Sequence, residues 1–132
     1  MKNLKLCLLL LFALLIGCSS KVTGADLIGG YWLGTAGYED GKPKGDPYCA
    51  PFSEGLEFKD ETTVYVEAYD RDFEYELVDG KHGRIIEFTG KGLGLYLRYY
   101  IDKVTEDALG LRGVGELQED ESCYLERNSL TD

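Results

Sequence analysis

The sequence predicts an all-β domain, arranged as a small antiparallel up-and-down barrel of about eight strands. Apolar and polar residues alternate with a period of two, short turn-forming segments separate the alternating runs, and no amphipathic helix interrupts them. A sheet that closes on itself leaves no exposed edge, so a barrel is favoured over the alternative, a two-sheet β-sandwich.

The strand that shows the alternation best is 93–102. Its residues Leu97 and Tyr99 share one face, whereas Arg98 and Tyr100 share the other. The same pattern predicts further strands, which in chain order are 31–35, 55–58, 62–69, 72–78, 84–89, 108–113 and 122–127. Turn-forming residues at 59–61, 79–83 and 105–107 join neighbouring strands as antiparallel hairpins.

The residues that precede the barrel, 1–17, have the pattern of a secretory signal peptide. Lys2 and Lys5 give a positive start, and an apolar run follows at 6–16. A helix rises about 1.5 Å per residue and the hydrocarbon core is about 30 Å thick, so this run is too short to be a permanent transmembrane helix.

The apolar run ends in Leu15-Ile16-Gly17-Cys18, which resembles the lipobox of bacterial lipoproteins. The resemblance implies that the signal is cut before Cys18 and that the Cys18 thiol carries a diacylglycerol, which anchors the protein to a membrane. The alternative is an ordinary secretory signal with a chance cysteine. We therefore expect a signal peptide at 1–17, a lipidated N-terminus and tether at 18–25, and a barrel domain at 26–132.

Ser19 directly follows the lipobox cysteine and resembles the outer-membrane sorting signal of Gram-negative bacteria. The expected location is the bacterial cell envelope, on the outer membrane facing the periplasm if the source is Gram-negative. The alternative is the outer face of the cytoplasmic membrane.

Two cysteines remain in the expected mature chain, because Cys7 leaves with the signal and Cys18 carries lipid. An even pair in an exported domain predicts a disulfide between Cys49 and Cys123. Closing a loop of about 75 residues would stabilise the fold by about 4 kcal/mol in the chain-entropy model. The alternative, a metal site, lacks ligands because His82 is the only histidine, so no metal ion is expected.

The charge balance argues against nucleic acid as a partner. The chain has 24 acidic and 14 basic residues, and its net charge of −10 becomes −12 when Lys2 and Lys5 leave with the signal. A surface of this sign repels phosphate groups.

Gly30-Tyr31-Trp32, at the start of the first predicted strand, is similar to the Gly-x-Trp motif that opens the lipocalin barrel. The resemblance implies that Trp32 closes one end of the barrel and that Arg127, near the last strand, packs across it. The other lipocalin motifs are absent, so the resemblance implies a barrel shape and no particular ligand.

The sequence predicts neither an enzyme nor a cofactor. His82 lies in a glycine-flanked turn, and no Gly-x-Ser-x-Gly segment presents a nucleophile. The glycine-rich segment 90–94 lacks the Gly-Lys-Ser/Thr ending of a phosphate loop and is interpreted as a link between strands. An alternating acidic run is expected on one strand face, where neighbours about 6.7 Å apart are too distant to share one cation. This run consists of Asp70, Asp72, Glu74 and Glu76.

Binding is the function that remains, and seven strand tyrosines suit either a binding surface or simple β-propensity. The first hypothesis is a lipid-anchored binding module for a small apolar ligand or a partner surface. The second is an inhibitor or immunity-type lipoprotein that binds a cationic protein such as a lysozyme. This second hypothesis rests on a resemblance to membrane-bound lysozyme inhibitors, which are small barrels with a lipid anchor and a disulfide, although their Ser-Gly-x-x-Tyr segment is absent.

The barrel interior distinguishes these two hypotheses. A wide apolar interior would favour the small ligand. A filled interior beneath a protruding acidic loop would favour the cationic protein. The seven tyrosines that are predicted to lie in strands are Tyr65, Tyr69, Tyr75, Tyr96, Tyr99, Tyr100 and Tyr124.

Overall fold

The structure is a computed structural model that describes residues 21–128. The expected signal peptide and Cys18 lie outside the described residues. Within 21–128, no helix has the length and the apolar character needed to cross a membrane.

The chain forms a closed antiparallel barrel of eight strands, which confirms the predicted fold class. The strands are β1 (Tyr31–Ala36), β2 (Tyr38–Glu39), β3 (Lys42–Pro43), β4 (Leu56–Phe58), β5 (Thr63–Val66), β6 (Arg71–Gly80), β7 (Gly83–Gly90), β8 (Leu95–Thr105), β9 (Ala108–Gly113) and β10 (Ser122–Asn128). A short helix, α1 (Gly24–Leu27), precedes them, and two 3₁₀ helices lie at Phe52–Glu54 and Glu67–Tyr69.

Barrel strands that follow one another in the chain are neighbours in space. Strand β4 pairs with β5, and each later strand pairs with the next as far as β10. The barrel closes because β1 pairs with β10 on one side and with β4 on the other, through Trp32 and Leu56. Strands β2 and β3 form a separate hairpin outside the barrel.

The two ends of the barrel carry different connections. The N-terminal end carries residues 21–30 and the turns β4–β5, β6–β7 and β8–β9. The loop end carries the β3–β4 segment (residues 44–55), the hairpin β2–β3, and the connections β5–β6, β7–β8 and β9–β10.

Val22, which lies in the expected tether, packs against the barrel. Val22 is 3% exposed and packs in the hydrophobic core, and the Arg84 Nε–H donates a hydrogen bond of 3.2 Å to the Val22 carbonyl. Helix α1 is capped by Asp26, which accepts hydrogen bonds from the backbone amide and hydroxyl of Thr23. Because Val22 is a single apolar residue in a polar segment, it produces no periodic signal in the sequence.

Two predicted strands have different bounds in the structure. The strand predicted at 62–69 ends at Val66, since the chain turns into a 3₁₀ helix that ends at Asp70 with φ 47°. As a result, Asp70 is not on β6 with the other three carboxylates of the acidic run. Strand β8 begins at Leu95 because Gly92 and Gly94 have positive φ angles, which a turn requires.

Aromatic side chains fill the barrel interior. The ring of Phe52 is fully buried and stacks on Phe88 of β7, with 4.0 Å between ring centroids. Its edge contacts Phe73 of β6 and Tyr99 of β8, at 6.1 and 5.8 Å. The 3₁₀ helix that carries Phe52 lies beside β1, and β7 is four strands away from β1 around the barrel, so Phe52 spans the interior.

The predicted disulfide is present and holds the β3–β4 segment against the barrel wall. Cys49 is bonded to Cys123 on β10, with 5.8 Å between their Cα atoms, and both residues are fully buried. The Ser53 amide donates a 3.0 Å hydrogen bond to the Cys49 carbonyl, so the bond lies at the start of the turn that carries Phe52.

Replacing Phe52 by alanine should lower the free energy of unfolding by about 3–5 kcal/mol, because a buried aromatic ring is removed and its neighbours cannot fully collapse. Urea unfolding followed by the fluorescence of Trp32, the only tryptophan, measures this change. Leu117→Ala is the control, since Leu117 is 100% exposed and its loss should cost no more than about 0.5 kcal/mol. Equal effects of the two variants would contradict the filled interior.

Candidate functional site

The N-terminal end is closed by Trp32 and Arg127. Trp32 is fully buried and its Nε1–H donates to the Leu27 carbonyl at 2.9 Å. The Arg127 guanidinium lies over the indole, with its Cζ 4.4 Å from the ring centroid. Its N–H groups donate to the carbonyls of Ile28 and Asp26, at 3.1 and 3.0 Å. The structure thus brings Trp32 and Arg127 together, and the two side chains close this end of the barrel. The N-terminal segment packs around them.

The loop end carries a hydrogen-bonded loop between β9 and β10, which we call the β9–β10 loop (residues 114–121). The Val114 amide donates to the Arg98 carbonyl of β8 at 3.1 Å, and the Gly113 amide donates to the Glu121 carbonyl at 2.8 Å. Inside the loop, the Glu121 amide donates to the Gln118 carbonyl at 2.9 Å. These bonds fix the loop backbone at both of its ends and through its turn.

A buried side chain ties the β9–β10 loop to the core. The hydroxyl of Tyr99, whose ring lies in the interior, donates to Glu121 Oε1 at 2.9 Å. The other oxygen, Glu121 Oε2, accepts a hydrogen bond from Gln118 Nε2 at 3.2 Å. Burial, followed by the charge of Glu121, raises the pKa of Tyr99 far above its usual value, so the hydroxyl stays a donor.

The tip of the β9–β10 loop combines an exposed apolar residue with free carboxylates. Leu117 is 100% exposed. Glu116, Glu119 and Asp120 surround it in the sequence and are exposed, and none of them forms an ion pair or a hydrogen bond within the part of the chain that the structure describes. Tyr48 is 59% exposed and borders the loop, because its amide bonds to the carbonyl of Ser122 at 2.9 Å.

Charge is divided unevenly between the two barrel ends. The segments of the N-terminal end carry a small acidic excess, with Asp26, Asp60, Glu61, Glu106 and Asp107 against Lys21, Lys59 and Lys81. The segments of the loop end carry a much larger one, with Glu39, Asp40, Asp46, Glu54, Glu67, Asp70, Glu116, Glu119, Asp120 and Glu121 against Lys42, Lys44 and Lys91.

A second acidic surface lies on the outer wall, where an open groove of about 820 Å³ runs along β6 and β7. Its carboxylates include Glu74, Glu76 and Glu87. Glu74 pairs with Lys91 at 3.4 Å, and Glu87 pairs with Arg98 at 2.9 Å and accepts from the Tyr96 hydroxyl. Two of the four carboxylates that line this groove are therefore paired within the protein, whereas Glu61 and Glu76 have no ion pair within residues 21–128.

The carboxylates of the acidic run make separate contacts in the structure. Asp72 pairs with Lys59 at 2.9 Å, and Glu74 pairs with Lys91. Among residues 21–128, no group of three or more His, Cys, Asp or Glu side chains is placed to hold a metal ion.

His82 and the glycine-rich segment 90–94 lie at opposite ends of the barrel. His82 is exposed in the β6–β7 turn at the N-terminal end, with its ring 6.5 Å from that of Tyr100. The glycine-rich segment 90–94 forms the β7–β8 connection at the loop end. The structure does not bring them together.

The sequence patterns do not reveal the roles of two residues, Phe52 in the barrel interior and Leu117 at the tip of the β9–β10 loop. Phe52 lies outside any strand, so the period of two could not mark it as a core residue. Leu117 could have been noticed as the one large apolar residue in the acidic stretch 116–121.

The fold defines the chain as an up-and-down barrel of eight antiparallel strands, similar in shape to a lipocalin. A comparison with protein-family models, curated protein sequences and solved structures finds no match.

Alkaline pH should weaken the fold through Tyr38 and Tyr75. Burial raises the pKa of each hydroxyl to about 12. Tyr38 donates to Asp102 at 2.9 Å, and Tyr75 donates to the Asp60 carbonyl at 2.6 Å. The tyrosine pKa is about 10 in the unfolded chain, so this stabilisation is complete below pH about 10 and is lost as pH rises towards about 12.

Urea unfolding at a series of pH values between about 9 and 12 measures this loss. Tyr38→Phe removes one of the two hydroxyls, so its free energy of unfolding should fall less steeply over the same range. A variant whose pH dependence matches that of the unchanged protein would contradict the assignment.

Proposed function

We propose that the protein is a non-enzymatic, lipid-anchored lipoprotein of the bacterial cell envelope that binds a basic protein at its surface. The observation that carries the proposal is the filled interior, in which Phe52 occupies the space that a small apolar ligand would need. Since the interior is occupied, recognition takes place on the outside of the barrel.

The electrostatics favour a basic partner. The expected mature chain has a net charge of −12, and the acidic excess is concentrated at the loop end. A field of this kind accelerates the encounter with a protein of opposite charge and disfavours acidic partners and nucleic acid. The enzyme inhibitor or immunity-type hypothesis fits this arrangement better than a carrier of a small apolar molecule.

The anchor is proposed to be a lipid on Cys18. Support comes from the lipobox sequence and from the disulfide, which is typical of exported proteins. If the source is Gram-negative, Ser19 favours the outer membrane, with the barrel in the periplasm; the alternative is the outer face of the cytoplasmic membrane.

Binding is tested with the full-length protein purified from membranes in mild detergent. Isothermal titration calorimetry uses two purified basic proteins as probes, a c-type lysozyme and cytochrome c, and a fluorescent fatty acid serves as the apolar probe. We expect saturable binding to at least one basic protein, weakened about tenfold or more when salt is raised from about 0.05 to 0.5 M, because the attraction between surface charges is screened.

Two outcomes would contradict the proposed function. One is stoichiometric binding of the fatty acid, which would require an accessible interior. The other is the absence of binding to both basic proteins at low salt.

The anchor is tested by replacing Cys18 with serine. The variant should lose membrane attachment in fractionated cells and should fail to incorporate radiolabelled fatty acid, because it lacks the acylated thiol. Cys7→Ser is the matched control, since Cys7 lies in the expected signal peptide and should leave both properties unchanged. A Cys18→Ser protein that still fractionates with membranes would contradict the anchor.

A further inference from the structure

We propose that the β9–β10 loop is the surface that docks the basic protein, with Leu117 entering an apolar depression of the partner and the surrounding carboxylates pairing with its lysines and arginines. This inference rests on the proposed function and specifies where the partner binds. It follows from the exposure, the rigidity, the charge and the position of the loop.

Leu117 is fully exposed, although hydrogen bonds hold the loop on both sides of it. Its side chain is 100% exposed, whereas the neighbouring Gln118 is half-buried and bonded to Glu121. An apolar side chain held fully in water contributes nothing to the fold, but it removes its whole surface from water when a partner covers it. Central apolar anchors surrounded by polar groups are the usual arrangement of a binding hot spot.

The loop is ordered before any partner arrives. Backbone hydrogen bonds from Val114 and to Glu121 hold its two ends, and the Tyr99 hydroxyl connects Glu121 to the core. Because the backbone is already fixed, little conformational entropy remains to be lost on docking.

The charges at the loop tip are available to a partner. Glu116, Glu119 and Asp120 have no ion pair within residues 21–128. In the outer-wall groove, by contrast, Glu74 and Glu87 already have basic partners. A basic protein would therefore gain more at the loop, because no internal pair has to be broken. A second copy of this chain is disfavoured as the occupant, since it would bring two acidic loop ends together.

The position of the loop suits a partner in solution. The described chain begins at Lys21, at the N-terminal end, and the β9–β10 loop lies at the opposite end of the barrel. If Cys18 carries the lipid, three residue steps, or about 10 Å of extended chain, separate it from Lys21. The less acidic N-terminal end then faces the membrane, and the acidic loop end points away from it.

The test measures the affinity of three variants and one further control for whichever of the two basic probes binds more tightly. Leu117→Ala removes the apolar anchor. A loop triple variant, Glu116→Gln, Glu119→Gln and Asp120→Asn, removes three charges at the tip. A matched triple variant, Glu61→Gln, Glu76→Gln and Glu106→Gln, removes three exposed charges elsewhere that have no ion pair within 21–128.

We expect Leu117→Ala to weaken binding about tenfold or more without changing its salt dependence. The loop triple variant should weaken binding by a similar factor and reduce its salt dependence, whereas the matched triple variant should weaken it less than about threefold. Leu33→Ala on β1, at a leucine that is 36% exposed, is the control for apolar contact and should leave the affinity unchanged. Circular dichroism checks that every variant is folded.

Equal losses in the two triple variants would overturn the loop as the docking surface, because net charge alone would then explain binding, while the proposed function would stand. Unchanged affinity of Leu117→Ala would overturn it as well. Light scattering that shows a dimer abolished by Leu117→Ala would identify a second copy of the chain as the occupant and would also overturn the proposal. The absence of any binding by the unchanged protein would instead contradict the proposed function itself.

Discussion

Phe52 reaches across the barrel and stacks on Phe88, and this contact decides how the interior is used. The ring comes from outside the sheet, on a turn that follows Cys49 by three positions, and Cys49 is bonded to Cys123 on β10. The disulfide therefore holds one end of the segment that fills the barrel. In a barrel of this size the interior holds either side chains or one small ligand. Here the aromatic side chains form a core, and the proposed function accordingly places recognition on the outer surface.

The two ends of the barrel differ in ways that follow from this core. At the N-terminal end, Arg127 bonds to backbone carbonyls of the segment that enters the barrel, and the acidic excess is small. At the loop end, Tyr99 extends from the core and orders the β9–β10 loop through Glu121. One end is thus closed by internal contacts, while the other presents a fixed acidic surface with Leu117 at its tip. A membrane tether at the N-terminal end and a partner at the loop end would suit this difference.

The sequence predicted the barrel well because the longest strands, β6 and β8, alternate in the way that a half-buried strand must. It also predicted that Cys49 and Cys123 pair, since few cysteines were left to choose from. It could not predict that Phe52 fills the interior, because core contacts made by a turn leave no periodic pattern. The sequence also could not predict the ion pairs of the strand carboxylates. Whether Asp72 pairs with Lys59, or Glu87 pairs with Arg98, depends on the register between strands. Leu117 is visible in the sequence, but its exposure is a property of the folded loop.

The central claim is that the interior is core and the loop end is the recognition surface. An NMR titration of the isotope-labelled protein with a purified c-type lysozyme or cytochrome c tests both parts together. The account predicts that shift changes cluster at the amides of residues 114–121 and the methyl groups of Leu117, and that signals from Phe52, Phe73 and Phe88 stay in place. Changes centred on those interior aromatic rings, with the loop unaffected, would contradict it.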